Sequence, residues 1–149
     1  LGIARKKLED AAFPWPFELH CADMNQGMHI HAASVVLMVL TLQFIRPLYR
    51  ETLVRSIYDG LVENECLLLV EKVLAEDSTI NRLFIQHYYE MKRRNGYSDL
   101  EIAQKREALE NVLIPYRLEE NRDLLRKQGF RQVDVFFKWY NFCGMVARK

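Results

Sequence analysis

The chain has 149 residues, of which 50% are hydrophobic and 28% are charged, and its formal net charge is +1 with histidine neutral. This composition is typical of one globular domain spanning residues 1–149, and the balanced charge excludes a surface that binds nucleic acid through a general positive field. Three widely spaced cysteines favour neither a disulfide framework nor a zinc site, and the apolar run at residues 32–42 is too short to span a bilayer, so we expect a cytoplasmic protein.

The first part of the chain predicts a helix, two strands and a second helix. Residues 1–8 have the spacing of the end of an amphipathic helix, and residues 17–22 alternate as a strand does. Residues 33–44 are almost continuously apolar, which is typical of a central strand buried on both faces. Pro47 then begins a helix that extends to about residue 61, because the fixed dihedral angle of proline suits the first helical turn.

The middle of the chain predicts a turn, a strand and further helices. Charged and polar residues at 63–65 indicate a turn, and residues 66–73 form a second buried strand. Ser78 caps a helix over residues 79–93. Later in the chain, residues 118–128 form a helix that Gly129 ends.

Two strands close the chain, at residues 130–139 and 142–147, and a short turn joins them as a hairpin. Buried strands that alternate with helices predict an α/β sandwich. A closing hairpin would place one antiparallel strand in an otherwise parallel sheet. This is the arrangement of the C-terminal part of a Rossmann-like S-adenosylmethionine-dependent methyltransferase fold.

The segment at residues 92–111 contains the clearest candidate for chemistry. Asn-Gly at 95–96 predicts a turn, and Ser98 with Glu101 forms a capping box that begins a helix. Arg106 shares a helical face with apolar residues, which are Ile102, Leu109 and Leu113. This face should look into the protein, and burying an unpaired charge is costly, so Arg106 needs an anionic partner.

Two interpretations of Arg106 stay open at this point. Its side chain could reach solvent or pair with a carboxylate of the protein such as Glu110 or Glu71. Alternatively, its planar guanidinium is aimed at the carboxylate of a small molecule.

Other candidate residues give weaker signals. Asp23 follows the strand predicted at 17–22, at the end where ligands bind in open α/β sheets, although Asp also serves as a cap or turn residue. His29 and His31 have no third ligand close by, so we predict no metal site.

The segment NGYSDLEIAQKREALENV at residues 95–112 strongly resembles the carboxy-S-adenosylmethionine synthase family, bacterial enzymes of tRNA wobble-uridine modification. The resemblance covers nearly the whole chain. It continues in four further strings, which are LTLQFIRP at 40–47, LLLVEK at 67–72, GFRQVDVFFKWYNF at 129–142 and MVARK at 145–149.

The resemblance implies a reaction in which S-adenosylmethionine and prephenate give carboxy-S-adenosylmethionine and phenylpyruvate. It implies that Arg106 holds the transferred carboxylate, and that Asp23 and Met24 hold the adenine. The family has an asparagine in its fourth strand that contacts the ligand, and Val39 occupies that position here. The resemblance also implies a homodimer that has prephenate as its small-molecule substrate, with no stable nucleic-acid partner and no membrane.

The family's first two strands, which carry the glycine-rich cofactor loop and the acidic residue for the ribose, should precede Leu1. The chain therefore resembles the C-terminal two-thirds of the family, and we expect an exposed apolar strand edge and poor cofactor affinity unless another chain covers that edge. Two alternatives follow. One is an ordinary S-adenosylmethionine-dependent methyltransferase, which Arg106 disfavours. The other is a non-catalytic domain, which Val39 favours.

Overall fold

The computed structural model describes all 149 residues, and a mixed β-sheet forms its centre. The sheet has the order β1-β2-β5-β4, and short β3 pairs with the end of β2. β1 is parallel to β2, whereas β5 is antiparallel to both of its neighbours. The predicted α/β class and its single antiparallel strand are thus confirmed. The strands are β1 (Ala33–Val39), β2 (Leu61–Leu74), β3 (Tyr116–Arg117), β4 (Gln132–Trp139) and β5 (Phe142–Arg148).

Five α-helices accompany the sheet, and each of them was predicted from its periodicity and end signals. They are α1 (Gly2–Asp10), α2 (Pro47–Gly60), α3 (Ser78–Arg94), α4 (Asp99–Leu109) and α5 (Leu118–Lys127). Two short 3-10 turns, Met24–Gln26 and Leu42–Phe44, lie on either side of β1. Gly129 follows α5 with φ of +114°, in agreement with the predicted glycine stop.

One face of the sheet carries the core. Apolar side chains of α2, such as Leu53 and Ile57, and Leu125 of α5 pack against inward residues of β2 such as Leu67 and Leu69. Each of these five is almost completely removed from solvent, so this layer holds the apolar burial that stabilises the fold.

The strand predicted at residues 17–22 is not present. These residues form no ladder with another strand, and Glu18 and His20 contact each other at the surface, with 3.0 Å between Oε2 and Nε2. A strand needs a neighbour for its backbone hydrogen bonds, and alternation alone supplies none.

The prediction that the apolar run at 33–44 is buried on both faces is also wrong. β1 ends at Val39, and only one of its faces meets the core, where Met38 is 5% exposed. On the other face Val35, Leu37 and Val39 are 50%, 65% and 57% exposed. The edge of β1 away from β2 is unpaired, so the expected exposed apolar strand is confirmed.

Two local predictions are corrected by backbone geometry. The turn predicted at 63–65 lies inside β2, where Asn64 adopts φ of +68° and the pairing with β1 shifts register. The cap of α3 is Asp77, not Ser78, because Asp77 Oδ1 accepts hydrogen bonds from the N–H groups of Thr79 and Ile80 at 2.8 and 2.9 Å.

Candidate functional site

The main cavity lies beside the C-terminal end of β2, between α3 and α4, and has a volume of about 540 Å³. Ligand sites in open α/β sheets lie at this end of the parallel strands. Half of the sixteen lining residues are hydrophobic. This half includes Tyr88 and Tyr89, and the polar and charged residues are Lys72, Asn81, Lys92, Lys105, Arg106, Glu110 and Asn141.

Helix α4 forms one wall of the cavity, and local interactions fix its start. Ser98 Oγ accepts from the N–H of Glu101 at 3.3 Å, and Glu101 Oε2 accepts from the N–H of Ser98 at 2.8 Å. An ion pair of 2.8 Å between Arg93 and Asp99 ties α4 to the end of α3. The side chain of Ile102 is 5% exposed and anchors the inner face of the helix. The predicted capping box is therefore confirmed.

The predicted face of α4 does look into the cavity. Ile102, Arg106, Leu109 and Leu113 all line it. Arg106 is exposed at this wall and makes no hydrogen bond or ion pair with another residue. This exposure fits the interpretation in which the side chain reaches solvent, and it also leaves the guanidinium available to a carboxylate that enters the cavity.

Neither carboxylate considered as a partner for Arg106 pairs with it. Glu110 lines the same cavity without forming an ion pair. Glu71 is 2% exposed, and its oxygens accept the backbone N–H groups of Thr41, Leu42 and Gln43 at 2.9, 2.8 and 3.0 Å. Burial raises the pKa of Glu71, and these three donors oppose the rise.

Glu71 also stabilises the loop that follows β1, and this loop connects to the cavity. Gln43 accepts from the N–H of Lys72 through its side chain at 2.9 Å and from the N–H of Ile114 through its carbonyl at 2.8 Å. Buried Arg50 donates to the carbonyls of Ile45 and Ile114. The segments on both sides of the cavity are thereby held to one hydrogen-bonded centre.

Three lysine side chains also line the cavity, each beside a tyrosine ring. The Nζ atoms of Lys72 and Lys92 lie 4.4 and 4.8 Å from the centroid of the Tyr88 ring. Lys105 Nζ lies 4.4 Å from the centroid of the Tyr97 ring. Burial, and then the charge of Lys92, lowers the pKa of Lys72. Burial, and then the charge of Lys105, lowers the pKa of Lys92.

The three residues predicted to hold a cofactor lie elsewhere, since none of them lines this cavity. Asp23 caps a 3-10 turn, and its Oδ1 accepts from the backbone and side-chain nitrogens of Asn25 at 3.0 and 2.8 Å. These hydrogen bonds lower the pKa of Asp23, which keeps it ionised and able to accept from an amine. Met24 packs against the core, and Val39 offers only an exposed apolar surface.

Sequence reasoning missed most of the charged lining. Helical periodicity placed Arg106 on this cavity, but it gave no reason to group Lys72, Lys92, Tyr88 or Asn141 with it. No local pattern joins these residues, because they come from β2, α3 and the turn between β4 and β5.

Solved structures share the fold of this chain. The chain superposes on the S-adenosylmethionine-dependent methyltransferase SibL with a TM-score of 0.68 and 19% identity, covering 99% of the chain and 40% of that protein. An O-methyltransferase family 2 protein from Planctomyces limnophilus superposes with a TM-score of 0.68 and 24% identity, covering 99% of the chain and 39% of that protein. Human N-acetylserotonin methyltransferase superposes with a TM-score of 0.57 and 16% identity, covering 95% of the chain and 37% of that protein. The fold is therefore that of the class I S-adenosylmethionine-dependent methyltransferases.

Sequence relatives give a more specific likeness, and they confirm the resemblance. The chain is homologous to carboxy-S-adenosyl-L-methionine synthases. It is 62% identical over 149 residues to the one from Methylococcus capsulatus and 47% identical over 145 residues to the one from Desulforapulum autotrophicum.

The chain spans 62% and 58% of the length of these two relatives. No protein-family model matches the chain. None of its helices combines the length and the apolar character that crossing a bilayer requires.

Proposed function

We propose that this chain carries the carboxylate-binding part of a carboxy-S-adenosyl-L-methionine synthase. The observation that carries the proposal is Arg106, which lines the cavity at the QKR string and pairs with no carboxylate of the protein. A transferred methyl group has no negative charge for a guanidinium at this position to bind, whereas a transferred carboxylate does.

The proposed substrates are S-adenosylmethionine and prephenate. In the overall reaction, a carboxyl group leaves prephenate and becomes bonded to the carbon of the sulfonium methyl group, which loses one proton. Carboxy-S-adenosylmethionine, phenylpyruvate and water are the products. The hydroxide that prephenate releases can accept that proton, so the chemistry needs no further reactant.

Within this proposal the chain's own residues bind and orient. Arg106 holds the carboxylate by charge and hydrogen bonding, and Leu109 and Leu113, which line the same cavity, offer apolar contact to the rest of the substrate. Asp23 accepts from the exocyclic amine of adenine. Met24 and Val39 offer apolar contact to the cofactor, and Val39 cannot supply a hydrogen bond, which costs affinity of about 1–3 kcal/mol.

The biological setting belongs to the same proposal. Carboxy-S-adenosylmethionine would serve tRNA wobble-uridine modification. The protein would act as a homodimer, consistent with the exposed apolar face of β1, and in a reducing cytoplasm, consistent with three free thiols.

The first test is mass spectrometry of small molecules released from the purified, denatured chain, followed by an assay with S-adenosylmethionine and prephenate. We expect carboxy-S-adenosylmethionine in either experiment, and its loss in Arg106→Gln. The matched control is Arg126→Gln on α5, an exposed arginine outside the cavity. Release of plain S-adenosylmethionine alone would favour an ordinary methyltransferase. No ligand and no product would favour a non-catalytic domain.

A further inference from the structure

Three lysines from three different elements meet at one side of the cavity. Lys72 lies two residues before the end of β2, Lys92 lies in the last turn of α3, and Lys105 lies on α4. Lys72 and Lys92 flank the same ring, that of Tyr88. Since the ring is shared, the two ammonium groups lie close enough for each to feel the charge of the other.

These lysines form no ion pair with a carboxylate of the protein, although Glu101 lies one helical turn before Lys105, and the pKa of Glu101 is lowered by hydrogen bonds from Ser98 and then by the charge of Lys105. None of the ten ion pairs in the structure involves Lys72, Lys92 or Lys105. Glu110 is the one acidic residue among the cavity's lining. The faces of Tyr88 and Tyr97 stabilise the ammonium groups in part. The tyrosine rings do not compensate the repulsion between the charges of Lys72 and Lys92, and a bound anion would reduce this repulsion.

The lysines and Arg106 occupy separate positions. Lys105 and Arg106 are consecutive on α4, so their side chains leave the helix about 100° apart. Apolar and aromatic lining, including Ile85, Tyr89 and Leu109, completes the cavity around these two cationic positions. The cavity therefore suits a molecule with two anionic groups on an apolar body.

Asn141 adds an independent sign of a ligand. It is 8% exposed, it lines the cavity, and its Oδ1 has no hydrogen-bond partner. A buried polar atom without a partner is costly, so a ligand group or water should satisfy it.

We propose that Lys72, Lys92 and Lys105 form a second carboxylate subsite, separate from Arg106, that holds the carboxylate which a dicarboxylic donor keeps after transfer. This inference rests on the proposed function and assigns the residues that hold the retained carboxylate of its dicarboxylic donor. Arg106 holds the carboxylate that leaves, and the lysines hold the one that remains on the 2-oxo acid product.

The test uses phenylpyruvate, which has only the retained carboxylate, and isothermal titration calorimetry on the full chain. We expect Lys92→Gln and Lys72→Gln to weaken binding at least about tenfold, because each removes a charge from a half-buried subsite. Lys92→Arg should restore binding, since it keeps the charge. Phenylpyruvate methyl ester, which lacks the anion, should bind at least about tenfold more weakly than the acid.

Two matched controls separate this subsite from the rest of the molecule. Lys6→Gln, on exposed α1, should change the affinity less than about twofold. Arg106→Gln should weaken phenylpyruvate binding clearly less than Lys92→Gln does, because this ligand lacks the transferred group. Circular dichroism on each variant confirms folding. Equal affinity in Lys92→Gln and Lys6→Gln, dependence on Arg106 equal to that on Lys92, or no binding to the unmodified chain would each overturn the proposal.

Failure of this inference and failure of the proposed function give different results. If the lysine variants make carboxy-S-adenosylmethionine with unchanged KM for prephenate, the subsite is wrong and the function stands. If phenylpyruvate binds through the lysines but no carboxy-S-adenosylmethionine forms, the subsite stands and the function is wrong.

Discussion

Replacing Glu71 by glutamine should destabilise the protein through one hydrogen-bonded loop. The carboxylate accepts three backbone N–H groups, from Thr41 and Leu42 on Oε1 and from Gln43 on Oε2. An amide keeps one acceptor oxygen, so its NH₂ group must face at least one of these donors. At 2% exposure no bulk water can take the place of the lost acceptor.

The expected loss in the free energy of unfolding is about 1–3 kcal/mol, the cost of one buried donor left without an acceptor. With a urea m-value of about 1–3 kcal/mol/M, the unfolding midpoint should fall by about 1 M. Glu63→Gln on the same strand is the matched control. Its ion pair to Arg131 is exposed and 3.9 Å long, so its effect should stay within about 0.5 kcal/mol. An equal midpoint in Glu71→Gln and Glu63→Gln would refute the role given to this loop.

Three further predictions concern the exposed strand, a helix end and the cavity. Leu37→Lys should reduce self-association in sedimentation velocity, because Leu37 is 65% exposed on β1, and an unmodified chain that is monomeric at every concentration would contradict this. Gly129→Ala should cost about 1–2 kcal/mol in urea unfolding, because φ is +114° and the new Cβ would lie 2.8 Å from the Tyr58 ring; an unchanged midpoint would show that the backbone relaxes. The pKa values of Lys72 and Lys92 are lowered from the ordinary 10.5 of a lysine. Phenylpyruvate affinity should fall as pH rises through these lowered pKa values, because only the protonated amine attracts the anion. A fall that begins only above 10.5 in pH-dependent calorimetry would be evidence against lysine binding.

Elements with local end signals were predictable from the sequence. Pro47 begins α2, the Ser98–Glu101 box begins α4, and Gly129 follows α5, as expected. Each signal acts within one turn of the chain, so tertiary structure is not needed to read it. The cap of α3 was misassigned by one residue, because Asp77 and Ser78 are both good N-cap residues and only the backbone geometry decides between them.

Strand predictions failed where the outcome depends on a distant partner. Residues 17–22 alternate correctly but pair with no strand, and β1 is apolar on both faces although only one is covered. An apolar run indicates which side chains a strand could bury. Whether they are buried depends on helices and strands from other parts of the chain. The segment at 63–65 has turn residues but belongs to β2, because a distant residue stabilises it there. Arg148 of β5 donates to Asn64 at 2.9 Å and holds that irregular stretch in place.

The candidate site was predictable on one wall only. Helical periodicity placed Arg106 with Ile102 and Leu109, and that stripe does line the cavity. The proximity of Lys72 and Lys92 was not predictable, because they are twenty positions apart in sequence. They come together only when α3 packs beside β2. Periodicity describes one element at a time, and a site between elements is a property of their packing.

The charge of the cavity bears on which chemistry it can support. S-adenosylmethionine carries a positive sulfonium, and a lining with four cationic side chains and one carboxylate, Glu110, repels a cation that enters alone. A methyl acceptor without charge would leave this repulsion in place. A dianion held by Arg106 and the lysines would reverse the local field and favour the sulfonium beside it. Under the proposed function, the cations that make this site unsuited to simple methyl transfer are the ones that would bring the carboxyl donor and the sulfonium together.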